Sequence, residues 1–392
     1  MKETLFKQLE AHYDEMVEIR RHLHQHPELS HQESETPKYI AEYHRNLGHD
    51  VRTNVGGNGV VATLKGAKPG KTVALRADFD ALPIHEETDV PFRSKVDGVM
   101  HACGHDAHTA TLLVLAKVLN GMKDELEGNV VFIHQHAEEL APGGAKPMIE
   151  DGCLDGVDVI FGTHIWSIFP LGTIETVTGP IMAASDRFEI EIQGKGGHGA
   201  QPHLTKDAVV VASTLVNQLQ QIVSRRVDPI ESAVVTVGNF VAQNAFNVIA
   251  DKATLGGTVR TFTPEIRDLI EKEIGRIVEG VCVAADVEYK LNYYRGYPAV
   301  VNHKEETEFL MDVAKSVPNV EEVKEMVPTM GGEDFSYYLE HVKGNFFFTG
   351  AKHPDWDHAY PHHHPKFDID ERTMLVAAST LGAATLEAQK TK

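Results

Sequence analysis

Cysteine is scarce: Cys103, Cys153 and Cys282 are the only three in 392 residues, odd in number and far apart. That spacing excludes a disulfide framework and points to a reducing cytoplasm. Long hydrophobic runs are missing as well. The best, around Thr109 to Leu119, is too short to span a bilayer, so no membrane association is expected. Basic charge is the third shortage, with 37 Lys and Arg against 57 Asp and Glu and a formal net charge of −20. The only tight basic pairs, Arg20–Arg21 and Arg225–Arg226, lie in or at the end of predicted helices, which argues against a nucleic-acid partner. An anionic substrate would need a local arginine to hold it.

What is present is ordinary for a globular chain, 42% apolar and 24% charged, and its length predicts two domains. The opening MKETLFKQLEAHYDEM has no apolar signal core. It reads as a first helix, with Leu5, Leu9, Met16, Ile19 and Leu23 near helical spacing. A helix near 36–47 precedes strands at 60–64 and 72–77. A helix at 108–119 leads to strand 129–136, a short helix from Gly144 and strand 157–165. Strands separated by helices predict an α/β domain with a mainly parallel, helix-covered sheet. From Ser185 the order becomes βαββαβ, the ferredoxin-like split unit. After Arg295 the first rhythm returns. The expected organisation is a catalytic domain, 1–184 and 295–392, with a smaller domain, 185–294, inserted.

The stretch HACGHDAH (101–108) packs three histidines, a cysteine and an aspartate ahead of a helix. A reactive thiol, a bound metal and a histidine-rich polar loop all remain open. Cys103 and His105, two apart, share one side of an extended segment, and the helix N-terminus would favour a thiolate. Glu138 and Glu139 follow a predicted strand and diverge, so one could bind a metal while the other serves as general base. His164 in GTHIW is read at another strand end, and His362, His363 and His364 sit in PHHHPKF. Taken singly, each has an inert reading as a surface or packing residue. Together, Cys103–His105, Glu138–Glu139 and His164 fall on one sheet edge, where open α/β sheets bind ligands.

The stretches RRHLHQHPELSHQE, LRADFDALPIHEET, MHACGHDAHTATLL, HQHAEELAPGGAKPMIEDG, GKGGHGAQPH, NVIADKATLGGTVRTF and GGEDFSYYL occur in this order over nearly the whole chain. They resemble the aminoacylase and hippurate hydrolase family of metal-dependent amidohydrolases. The resemblance implies a catalytic α/β domain interrupted by a lid that also dimerises, hence a homodimer through the lid. It implies two divalent ions per subunit, for which manganese, zinc, nickel and cobalt all suit the mixed donors. Cys103 would bridge them, with His105 and His164 completing one and Glu139 and His363 the other. Glu138 would be general base and acid. Where the wider family has a His-x-Asp pair, this chain has Asp78 and Asp80. His105 would replace the missing histidine, Asp80 would orient a ligand from behind, and Asp78 is left without a role. His101 and His108 would be neighbours of the site. In the lid, His198 and Asn247 would face the substrate carbonyl, His198 from the other subunit, and Arg260 would hold a substrate carboxylate.

The implied reaction is hydrolysis of N-acyl-amino acids, N-acetyl or N-aroyl, by a metal-activated water. The alternative is a metallocarboxypeptidase or dipeptidase using the same site. A Cys103-dependent thiol hydrolase or redox protein lacks a C-x-x-C and leaves Glu139, His164 and His363 idle. A non-catalytic metal carrier would have no need of Glu138.

Overall fold

The run TVALRA has the continuous apolar character of a strand buried on both faces. In the computed structural model, which describes residues 1–390, Val73, Ala74 and Leu75 are fully buried within the strand Lys68–Asp78. That strand lies inside an eight-stranded sheet of the first of two units. This unit comprises Met1–Ile181, Val300–Val327 and the chain from Asp334 on. Its central strands run Glu127–Gln135, Lys68–Asp78, Val159–Pro170 and Gly344–Lys352, neighbour to neighbour and parallel. The edges depart from the parallel expectation. Gly59–Lys65 pairs antiparallel with both Asp50–Val55 and Glu127–Gln135. Only residues 56–58 link the first two, too short a connection for a parallel crossover. Two four-residue strands, Thr173–Thr176 and Glu322–Glu325, complete the sheet.

Helix His105–Gly121 is buried nearly all round and packs against Tyr13–Gln25 and Arg372–Ala388. Gly382 permits this closeness: a Cβ there would stand 2.8 Å from Leu5 Cδ2 and 2.9 Å from Leu115 Cδ1. The expected first helix is two helices, Lys2–Ala11 and Tyr13–Gln25, broken at His12. Leu5 and Leu9 serve the piece that packs on the C-terminal helix. Met16, Ile19 and Leu23 serve the piece that packs on His105–Gly121. No Gly or Pro marks the break, so the sequence pattern runs through it. Among the described residues, no helix is long and apolar enough to cross a membrane.

The second unit comprises Met182–Ala299 and Pro328–Glu333. Its antiparallel sheet runs Ala233–Val241, Lys252–Thr261, Ala184–Gln193, Glu288–Arg295. Burial alternates along Ala184–Gln193, so Phe188, Ile190 and Ile192 line one face. Helices Ala208–Arg225 and Pro264–Ala285 close that face with Leu215, Leu219, Ile274 and Val278. Both helices start at a side-chain cap, from Asp207 and from Thr263 before Pro264.

Candidate metal centre

At the C-terminal ends of the parallel strands, the first unit gathers its chemistry-bearing side chains. Strand Lys68–Asp78 delivers Asp78 and, two residues on, Asp80. Strand Glu127–Gln135 runs into Glu138 and Glu139. His164 lies inside the longer strand Val159–Pro170, not at its end as read from the sequence. The neighbouring strand stops pairing at Gly162, however, so His164 still emerges at the open edge. Cys103 precedes a left-handed Gly104 (φ 86°), and His105 is already the first residue of its helix.

The ring partners assign the histidines. His105 donates from Nδ1 to Asp80 Oδ1 at 3.1 Å, leaving its buried Nε2 without a hydrogen-bond partner. That Nε2 lies 3.6 Å from Asp78 Oδ2 and 3.8 Å from Glu139 Oε1. His164 donates from Nδ1 to the Ile165 carbonyl, so its Nε2 lone pair meets Cys103 Sγ at 3.5 Å. His363 Nε2 stands 3.2 Å from Glu139 Oε1. His108 is fully engaged: Nδ1 donates to Asp78 Oδ1 at 2.6 Å, and Nε2 accepts the Ile165 N–H at 2.9 Å. It has no nitrogen to offer a cation.

Of the four donor groups whose ligand atoms lie within 4.8 Å of one another, Asp78–His105–His108 and Glu138–Glu333–Asp334 lack the thiol, and two contain it: Cys103, His105 and Glu139, and Cys103, His164 and His362. The geometry therefore sets His105 beside Glu139, whereas the resemblance pairs it with His164. Electrostatics favour a cation here. Burial would lower the His105 pKa, yet Asp78, Asp80 and Glu139 hold it up at about 10. Burial, Glu139 and Glu138 push the Cys103 thiol well above its ordinary range, overriding the helix N-terminus. An orphaned imidazole nitrogen, surplus negative charge and a thiol that needs a cation to ionise make a donor set suited to soft-to-borderline divalent metals.

Supporting groups complete the picture. Asp80 accepts from His105, from Ser30 Oγ at 2.7 Å and from the Glu139 N–H at 3.0 Å. Asp78, which had no assigned role, bonds Arg76 Nη1 at 2.6 Å as well as His108. Burial alone would raise its carboxyl, but Arg76, His105 and His108 hold it well below the usual range. Arg76 in turn reaches Asp334 Oδ1 at 3.0 Å. Asp106 anchors the helix start by accepting from Arg20 at 3.1 Å and His24 at 2.8 Å.

Residues 74–387 match the model of peptidase family M20/M25/M40. The chain belongs to that family. It is an M20-family hydrolase, and relatives agree along nearly its whole length. YhaA of Bacillus subtilis, described as an amidohydrolase, is 58% identical over 98% of both chains. An N-acyl-L-amino acid amidohydrolase of Geobacillus stearothermophilus is 47% identical, over 78% of this chain and 82% of its own. The crystal structure of Bacillus subtilis YxeP, titled a dinuclear metal-binding peptidase of the M20 family, superposes with a TM-score of 0.84. It is 36% identical and covers 98% of this chain and 99% of its own.

Within the M20 chain's second unit, His198 and Asn247 come together. His198 pairs with Val248 in a small exposed ribbon, and the Gly199 N–H donates to the Asn247 carbonyl at 2.8 Å. The Ala200 N–H donates to His198 Nδ1 at 3.0 Å, which leaves Nε2 as the outward nitrogen. Arg260 lies near the far end of the ten-residue strand Lys252–Thr261, roughly 30 Å long at about 3.3 Å per residue. It donates to the Val259 carbonyl at 3.0 Å, and no carboxylate among the described residues pairs with it at salt-bridge distance. Arg76, Asp334, Ser30 and Glu33 were not singled out in the sequence, and His362 was named there but not assigned as a ligand. Of these, only His362 carried a local signal, as one of three adjacent histidines.

Proposed function

We propose that this M20 hydrolase cleaves the amide bond of N-acyl-amino acids at a two-metal site held by Cys103, His105, Glu139, His164 and His363. The observation that carries this reading is the sharing of Cys103 between two donor groups. Divalent manganese, zinc, nickel or cobalt bound there would supply Lewis acidity and a more acidic water. Asp80 orients His105 and fastens the Glu139 backbone. Glu138, buried beside Cys103 and not among the donors grouped with it, takes the proton of the attacking water and passes it to the leaving amine. His198 and Asn247 donate hydrogen bonds to the substrate carbonyl oxygen, and Arg260 holds the substrate carboxylate.

The lid geometry supports a homodimer. As the family resemblance implies, His198 reaches into the partner's site. The His198 end of the unit also exposes Phe240, Val241, Phe246 and Val248, an apolar group suited to burial against a second copy. Refolding His198→Ala and Glu138→Gln chains together checks this. Each variant alone is nearly inactive, and random pairing restores about a quarter of wild-type sites. If the dimers exchange and no activity returns, His198 acts within its own chain or not at all.

A metal-reconstituted assay over N-acetyl, N-benzoyl and dipeptide substrates tests the reaction class. N-acyl-amino acids should be turned over faster than dipeptides; the reverse order selects the carboxypeptidase or dipeptidase reading. Arg260→Ala raises KM for substrates with a free α-carboxylate and leaves their amides unaffected, the mark of binding shared by ground and transition states. Equal loss on both removes Arg260 from that role.

A further inference from the structure

Glu138 and Glu139 must point different ways from adjacent backbone positions, and no helix or strand holds the stretch they occupy. Ala137 adopts φ 51°, in the left-handed region that a residue with a Cβ disfavours. Something outside the loop has to hold it there. Three contacts do, two made directly by one short segment near the N-terminus and one through Asp80, which that segment holds. Buried Glu33 accepts the Ala137 N–H through Oε1 at 2.8 Å and Asn58 Nδ2 through Oε2 at 3.0 Å. Ser30 Oγ donates to Asp80 Oδ2 at 2.7 Å, and that same oxygen accepts the Glu139 N–H. His31 Nε2 donates to the Leu140 carbonyl at 3.0 Å. One contact lies before the two glutamates, one at them and one after.

We infer that Ser30–Glu33 is a clamp that sets the directions of Glu138 and Glu139, with Glu33 its principal positioning residue. The inference rests on the hydrolase reading above. If Glu33 is removed, the Ala137 N–H is left buried without an acceptor, which is unfavourable. The loop escapes that cost by turning the peptide, and Ala137 gains by leaving the left-handed region. Either movement swings the Glu138 and Glu139 side chains off their targets. What the Ala137 N–H needs is an oxygen, so a neutral amide oxygen can replace the carboxylate. Glycine adopts the left-handed conformation freely, so it lessens the need for a clamp.

Glu33→Ala, Glu33→Gln and the double variant Glu33→Ala/Ala137→Gly test this, by kinetics on the metal-loaded enzyme and by zinc titration of the metal-free protein. Glu33→Ala should lower kcat and weaken zinc binding, each roughly 10- to 100-fold, with KM nearly unchanged. Glu33→Gln should stay close to wild type, and Ala137→Gly should recover part of the loss. A Glu33→Ala protein that melts earlier but keeps its kcat and zinc affinity overturns the clamp. So does a Glu33→Gln as impaired as Glu33→Ala. If Glu33→Ala does not fold, Asn58→Ala loosens the same carboxylate from its other side. A smaller loss of the same kind then supports the clamp, and no loss overturns it. Failure of the hydrolase reading is distinguishable, because the wild-type protein itself would then lack metal-dependent turnover.

Discussion

Glu138→Gln is expected to lower kcat by on the order of a thousandfold or more while bound metal stays at the wild-type level. The substitution keeps size and burial and removes only basicity, so the loss measures the proton transfer. A thousandfold corresponds to about 4 kcal/mol of barrier. Glu139→Gln should behave in the opposite way. Its Oε1 faces His105 Nε2 at 3.8 Å and His363 Nε2 at 3.2 Å, so the charge lost there is charge that would hold an ion. The metal-binding curve should weaken, and activity should return when metal is added in excess. Elemental analysis beside kinetics separates the two variants. If Glu138→Gln is the one that loses metal, the roles of the two glutamates are exchanged.

The parts of this site that could be read in the sequence were those with a local signature. HACGHDAH and the adjacent glutamates put several donor types close together in the chain. The helix and strand rhythm then placed them on one edge of a sheet. The second unit was legible for the same reason, since the period-two alternation of Ala184–Gln193 announces a sheet buried on one face. The rest depended on distance. Arg76 meets Asp334 across 258 positions, and Glu33 meets Ala137 across 104, separations that no spacing rule spans. The resemblance implied that His108 is a neighbour of the site; the physical reason, an Ile165 N–H occupying its second nitrogen, lies 57 positions away. The strands Thr173–Thr176 and Glu322–Glu325 are too short to show a period. The first helix misled because its apolar stripe continues across a break: Lys2–Ala11 packs mainly on Arg372–Ala388, and Tyr13–Gln25 on His105–Gly121.

Cys103→Ser carries the other large effect. Cys103 is the one donor common to both groups, and a hydroxyl is a far poorer ligand than a thiolate for borderline metals. The variant should lose activity because it loses metal, whereas removal of a nucleophilic thiol would silence the protein with its metal in place. The decisive measurement strips the wild-type protein with a chelator, then returns zinc or manganese stepwise while bound metal and turnover are recorded together. The stripped protein should be inactive, regain turnover as two ions bind per chain, and do neither when Cys103 is Ser. Full turnover by demonstrably metal-free wild type, or a Cys103→Ser protein that holds two ions and is still dead, would contradict the account.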